Sequence, residues 1–318
     1  MLSPLVKFDD QEITVSERSD YQGMATPADR VRAPSREEAT QLVLPHIDVK
    51  LDFQNKTYWA SMRPSPRSNV TMELLQDMLC VHESVRQIME EGHREQKQLL
   101  EYFVFGSQTP GVFNLGGDLA YFADRIRAGD RASMQAYAYA CIDVIYGNAM
   151  AFHTPVVTIA LVQGDALGGG FECALSFDVL IAEKSAKLGL PEVLFNLFPG
   201  MGAYSFLARK IGTSPAERLI MSGKVYTAEE LHALGVVDIL AEDGEGEIAV
   251  REYMERNRRK HNAHRAIYRS KRRIDPISYE ELRDIVDIWV DAALELGEHD
   301  LRKMMRLTAA QGRRLSAI

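Results

Sequence analysis

From Val156 to Val162 every residue except Thr158 is apolar, and the run leads straight into Gln163-Gly164-Asp165-Ala166-Leu167-Gly168-Gly169-Gly170-Phe171-Glu172. A strand with no polar face has to lie inside a sheet covered on both sides, the usual setting of parallel strands. The three glycines that follow permit a sharp turn and a close approach to the backbone. They also leave the first amides of a helix pointing at an oxygen that gains negative charge. A phosphate loop is the rival use of such a turn. The Gly-Lys-Ser/Thr ending of a Walker sequence is missing, however, and the spacing is not that of a dinucleotide fingerprint.

The rest of the chain repeats the theme. Ile47, Val49, Leu51 and Phe53 alternate with charged residues before Asn55, and Tyr58, Trp59 and Met62 follow, which predicts a hairpin. Leu74, Leu75, Met78, Val81, Val85, Ile88 and Met89 recur three and four apart and predict a helix capped by Gly92. Further strands are expected over Leu99–Phe105, Val179–Ala182 and near Leu188, with helices from Met134 to Phe152 and from Tyr204 to Lys210. Ser214-Pro215 and the pair Thr227 and Glu230 mark two more helix starts. Alternating strand and helix predicts an α/β fold. Residues 1–45 read as a polar extension in which Ser35 and Glu38 cap one short helix, residues 46–245 as the core, and residues 246–318 as three helices without a strand.

A second glycine turn, Phe113-Asn114-Leu115-Gly116-Gly117-Asp118-Leu119, also joins a strand to a helix, with Asp118 as a capping residue. Two such turns can give one amide each to one oxyanion. Glu172 falls in the first turn of the helix after the triple glycine, and Glu192 follows a strand in Leu188-Gly189-Leu190-Pro191-Glu192. Singly, either reads as a solvated or capping carboxylate. Together, beside an oxyanion pocket, they are what proton transfer next to a carbonyl requires: one acts at Cα, the other on the oxygen at Cβ.

The run Ala166–Glu172, the Pro191-Glu192 dipeptide and Phe198-Pro199-Gly200-Met201-Gly202 resemble, in order and spacing, the crotonase or enoyl-CoA hydratase superfamily over roughly residues 48–245. The resemblance implies a crotonase (ClpP-like) spiral of ββα units with a C-terminal helical region that serves assembly and covers an acyl pocket. It also implies homotrimers or hexamers and an acyl-thioester substrate. Gly117 and Gly169 would give the oxyanion-hole amides, Gly116 would help bind the substrate, and Glu172 and Glu192 would be the acid/base pair. Val112–Asp118, Ala160–Gly164, Gly189–Phe195, Leu197–Phe206, Ile288–Asp291 and Leu296–Glu298 are similar to the bacterial diffusible signal factor synthases, which make cis-2-unsaturated fatty acids for quorum sensing.

That narrower likeness implies dehydration of a 3-hydroxyacyl chain on acyl carrier protein, then hydrolysis of the thioester. Two alternatives stand beside it: an enoyl-CoA hydratase or isomerase acting on CoA esters, and a non-catalytic binding partner of a sensor protein. Leu190 stands where many hydratases carry glutamine, and Met201 and Tyr204 where they often carry small residues, which implies a greasier pocket. Met201, Trp289 and Leu307 are assigned to an acyl tunnel, although core packing explains them equally well.

Composition narrows the partners. At 46% hydrophobic and 26% charged the chain is globular, and a net charge of -8 disfavours nucleic acid as a partner. No apolar run approaches the roughly 20 residues that cross a bilayer, and Lys7, Asp9 and Asp10 interrupt any leader-like start, so a soluble cytoplasmic protein is expected. Cys80, Cys141 and Cys173 are expected as buried thiols, His261 and His264 as surface residues, and neither a metal nor a redox cofactor is implied. Nine cations between Arg256 and Arg273 read first as a solvated helix face, with docking of an acidic carrier protein or of CoA phosphates as the functional alternative.

Overall fold

A computed structural model of the protein describes residues 42–65 and 68–315. The helix read at Ser35 lies outside them, as does the polar extension up to residue 41. Strands β1 (Ile47–Asp52) and β2 (Thr57–Met62) form the expected antiparallel hairpin, with Ile47 opposite Met62 and Asp52 opposite Thr57. The hairpin starts a six-stranded sheet that continues, in parallel, through β3 (Tyr102–Ser107), β5 (Val157–Val162), β7 (Val179–Glu183) and β10 (Ile239–Ala241). A second sheet runs in the order β4 (Gly111–Asn114), β6 (Gly164–Leu167), β8 (Lys187–Gly189) and β9 (Val225–Thr227). The chain therefore repeats one motif, a strand in the first sheet, a strand in the second, then a helix: the spiral of ββα units.

Every residue of β5 is buried, as its unbroken apolar sequence requires. The strand period of two sorts its neighbours into two layers. Phe103, Phe105, Ala160, Val162, Leu180 and Ala182 face the larger core. Tyr102, Val104, Val157, Ile159, Leu161, Val179 and Ile181 face a smaller one closed by Val250, Tyr253 and Met254 of α8 (Gly246–Asn257).

Helix α1 (Met72–Arg94) is capped by the Thr71 hydroxyl, which accepts from the Leu74 amide at 3.2 Å, and buries the seven apolar positions read from its period. Gly92 does not end it. The helix runs two residues further, and Gly92 is small because a Cβ there would stand 2.6 Å from the Lys97 carbonyl oxygen and 2.9 Å from Leu99 Cγ. Helices α2 (Leu119–Arg127) and α3 (Arg131–Ala149) follow β4, and α4 (Gly169–Leu175) follows β6. Beyond β8 lie α5 (Ala203–Ile211), α6 (Thr213–Ser222) and α7 (Ala228–Ala233). The capping box at Thr227 and Glu230 forms as read, whereas α6 begins one residue before Ser214, with Gly212 at its cap.

After α8 the described residues form three more α-helices, α9 (His261–Ile274), α10 (Tyr279–Leu294) and α11 (Glu298–Leu315), four in all where three were expected. A 3-10 turn, Arg258–Lys260, separates α8 from α9. Helix α9 also corrects two readings. His261 is buried, its ring edge-on to Tyr102 with centroids 5.0 Å apart. Arg272 turns inward: its Nη2 donates to both Asp178 oxygens at 2.6 and 2.7 Å and its Nε to the Ala149 carbonyl at 2.7 Å. Of the cysteines, Cys141 and Cys173 are buried but Cys80 is exposed. Among the described residues no helix is long and apolar enough to cross a membrane.

Candidate active site

Three chain segments distant in sequence arrive together because their strands are neighbours. Asn114 of β4 pairs with Ala166 of β6, so Leu115-Gly116-Gly117 and Leu167-Gly168-Gly169 leave the sheet side by side. On the other flank of β6, Leu167 pairs with Gly189 of β8, and the Gly168 amide donates to the Gly189 carbonyl at 2.9 Å. Leu190-Pro191-Glu192 therefore exits next to the triple glycine.

Contact between the two glycine turns is tight. Gly116 has φ of +89°, and a Cβ on it would lie 2.8 Å from the Leu167 carbonyl oxygen and 3.2 Å from the Gly169 nitrogen. Gly168 has φ of +52°, and a Cβ there would meet Glu192 Oε1 at 2.6 Å. Left-handed backbone and the missing side chain are both needed at these positions. Gly169 opens α4, so its amide is one of the donors that a helix start leaves without an intrahelical partner.

A cavity of about 50 Å³ lies against these turns and is lined by Gly117, Gly169, Glu172, Glu192, Met201 and Trp289, among others. Six residues singled out from the sequence thus face one space. Gly116, expected among the substrate-binding residues, does not line it. Leu307 does not reach it: on α11, the residue is half-buried and packed on the larger core. Leu190 is wholly buried but does not line the cavity, and Tyr204 is 40% exposed and is not part of the wall either.

Glu172 is 2% exposed on α4, a helix buried along its whole length. Its Oε1 accepts the Ala203 amide at 3.1 Å, and the Met201 amide also bonds to it. Both amides belong to the turn that opens α5, where Gly202 takes φ of +95°. Burial holds the Glu172 carboxyl well above its ordinary range, the charge of Glu192 adds to this, and the two amide bonds oppose it. Glu192 begins a 3-10 turn, Glu192–Phe195, and burial pushes its carboxyl up to about 7. Its Oε2 is shut off from solvent and has no hydrogen-bond partner among the described residues. Glu172 is thus held up by burial and by its neighbour's charge together, so the site can offer a neutral acid beside a carboxylate.

The sequence reading missed Phe122, Tyr137 and Val286, which also line the cavity. Phe122 on α2 packs edge-on to Tyr137, at 5.0 Å, and to Trp289, at 5.3 Å, and it fills the space where a side chain on Gly117 would go. Trp289 lies against Gly200, where a Cβ would be 2.4 Å from the indole. Helix α10, which carries Val286 and Trp289, is fastened to α3 by Gln135 and Tyr139 donating to Asp287 at 2.7 and 3.0 Å and by an Arg131–Asp291 ion pair. The only local sign of these residues was the apolar period of their helices, which does not say what they face.

Comparison with known proteins agrees with this architecture. The family model for enoyl-CoA hydratase/isomerase matches residues 71–274. Human mitochondrial methylglutaconyl-CoA hydratase is 35% identical over 153 residues, 48% of this chain and 43% of that protein. Human enoyl-CoA hydratase domain-containing protein 2 is 34% identical over 188 residues, 59% of each. The chain thus spans roughly half the length of the curated relatives it matches. Among solved structures, an enoyl-CoA hydratase from Bacillus halodurans aligns with a TM-score of 0.65 at 20% identity, covering 86% of this chain and 100% of that one, which bears on the fold alone. Pseudomonas aeruginosa DspI aligns with a TM-score of 0.60 at 27% identity, covering 77% and 95%. With the strand order, the paired glycine turns and the matched residues all in agreement, the chain belongs to the enoyl-CoA hydratase/isomerase family.

Proposed function

We propose that the protein is a crotonase-type enzyme that dehydrates a 3-hydroxyacyl thioester and then hydrolyses the thioester, releasing a cis-2-unsaturated fatty acid of the kind used in quorum sensing. The observation that carries the reading is the shared cavity: the Glu172 and Glu192 carboxyls, both of raised pKa, face two glycine turns, and most of the remaining wall is apolar.

In the first step the thioester carbonyl oxygen is held by the Gly117 and Gly169 amides. Glu192, the more readily ionised acid, takes the proton from Cα, and the resulting enolate is stabilised where its charge appears. The enolate then expels the hydroxyl from Cβ, and Glu172 protonates it so that water leaves. Transfer of the proton from Glu192 back to Glu172 resets the pair. For hydrolysis, Glu192 takes a proton from a water that attacks the thioester carbon; the tetrahedral oxyanion sits in the same two amides, and as it collapses the C–S bond breaks and Glu192 returns that proton to the departing sulfur.

The likeness to CoA hydratases favours a second reading, reversible hydration of a CoA-linked enoyl thioester. A scaffold that binds a sensor protein without turnover is disfavoured by the pair itself, because holding two carboxyls in a largely desolvated cavity destabilises the fold and a binding role gives no reason to keep them. Purified protein incubated with 3-hydroxyacyl carrier protein and with the equivalent CoA ester, followed by mass spectrometry, separates the three. Free cis-2-enoic acid supports the first reading, and interconversion without release supports the second. No chemistry on either substrate refutes both.

A further inference from the structure

The amide of Gly117 can serve an oxyanion only if it faces the cavity, and the hydrogen bonds around it fix that direction from behind. The Gly116 carbonyl accepts the Val70 amide at 2.8 Å and Asn69 Nδ2 at 3.1 Å. The same Nδ2 donates to the Gly117 carbonyl at 3.2 Å. From the other side, the Gly116 amide donates to Asn114 Oδ1 at 2.8 Å. Successive carbonyls of extended backbone point to opposite sides; here one amide group grips two in a row, which the left-handed Gly116 allows.

The peptide between Gly116 and Gly117 is trans, so its C=O and N–H point in opposite directions. Holding the Gly116 oxygen toward Asn69 therefore turns the Gly117 N–H away from Asn69, toward the space that Gly117 lines. Asn69 is 9% exposed and does not line that cavity. Its neighbour Val70 is held in turn by the Tyr137 hydroxyl, which donates to the Val70 carbonyl at 2.7 Å.

We infer that Asn69 is a positioning residue: it aims the Gly117 amide at the oxyanion and acts on the reaction only through that amide. The inference rests on the oxyanion role given to Gly117 above. It assigns Asn69 an effect on the charged intermediate and none on the resting substrate.

The test compares wild type with Asn69→Ala and Asn69→Asp, using hydration of a 2-enoyl-CoA thioester and binding of two unreactive probes. One probe is an acyl-CoA thioether, which has no carbonyl; the other is an acyl-CoA analogue bearing an enolate-like oxygen. Asn69→Ala should lower kcat about 10- to 100-fold, less than the ~10²- to 10³-fold loss when a whole donor is removed. KM and thioether affinity should change less than about twofold, while the enolate mimic loses affinity in step with kcat. Asn69→Asp, which sets a carboxylate against two carbonyl oxygens, should be worse than alanine. Circular dichroism and the thermal midpoint identify variants that keep the fold. A folded Asn69→Ala variant with unchanged kcat, or one that loses thioether and enolate-mimic affinity equally, overturns the positioning role alone. A wild type that neither turns over nor prefers the enolate mimic overturns the reading of the site itself.

Discussion

Replacing Glu192 with glutamine should inactivate the protein and stabilise it in the same stroke. Burial holds this carboxyl at about 7 against an ordinary 4.5. Between those values the folded chain binds a proton that the unfolded chain has released, so wild-type stability falls as the pH rises through that window and stays low above it. At about 1.4 kcal/mol per pH unit, the cost approaches 3 kcal/mol at pH 8 and shrinks below about 1 kcal/mol at pH 5. Glutamine has nearly the shape of the protonated acid and never ionises. Its amide hydrogens find no ready acceptor, because Glu192 Oε2 has no partner, and this returns about 1 kcal/mol. A net gain of about 2 kcal/mol at pH 8 remains, and it should vanish near pH 5. Urea unfolding followed by circular dichroism at both pH values measures it, alongside the dehydration assay, in which the variant should show no turnover. A glutamine variant no more stable than wild type at pH 8, or equally favoured at pH 5, would show that Glu192 does not ionise in a buried site.

Three further expectations follow from contacts described above. Arg272→Ala strips the buried Asp178 of its partner and should destabilise the protein by about 3 to 5 kcal/mol, whereas Arg273→Ala on the exposed face should change stability by less than about 0.5 kcal/mol; thermal melts distinguish them. Charge reversal at Arg272 is accordingly a test of folding and not of carrier docking. Gly117→Ala drives a methyl group into the Phe122 ring, so turnover should fall steeply, and Phe122→Leu in the same chain should recover part of it; no recovery would mean that the ring is not what displaces the amide. The cavity has space for only a few waters, so Trp289→Ala should shift product chain length upward, measured by mass spectrometry, and an unchanged profile in a folded variant would remove Trp289 from the acyl path.

What the sequence disclosed follows the range of the interactions involved. Val157–Val162 and the triple glycine were legible because burial and left-handed backbone leave marks on consecutive residues. Glu172 and Glu192 were found through spacing to those marks. Asn69 was not, since its role depends on carbonyls 47 and 48 positions away. Phe122, Tyr137 and Val286 showed only helical period. Gly92 was misread because glycine near a helix end serves a cap and a close contact equally well, and here Leu99 decides it. The basic run read first as a solvated helix face, while Tyr102 and Asp178, both distant in sequence, draw His261 and Arg272 inward.

The short ladder between β6 and β8, Ala166 with Leu188 and Leu167 with Gly189, acts as a ruler for the chemistry. Sliding β8 by a single position would carry Glu192 about 3.3 Å along the strand axis and present the opposite side of the strand to the triple glycine. A length change near this ladder would therefore displace Glu192 from the triple glycine, whereas exchanging one side chain for another at its end leaves the measuring device intact. A scaffold of this kind can diversify its reactions by substitution far more readily than by insertion.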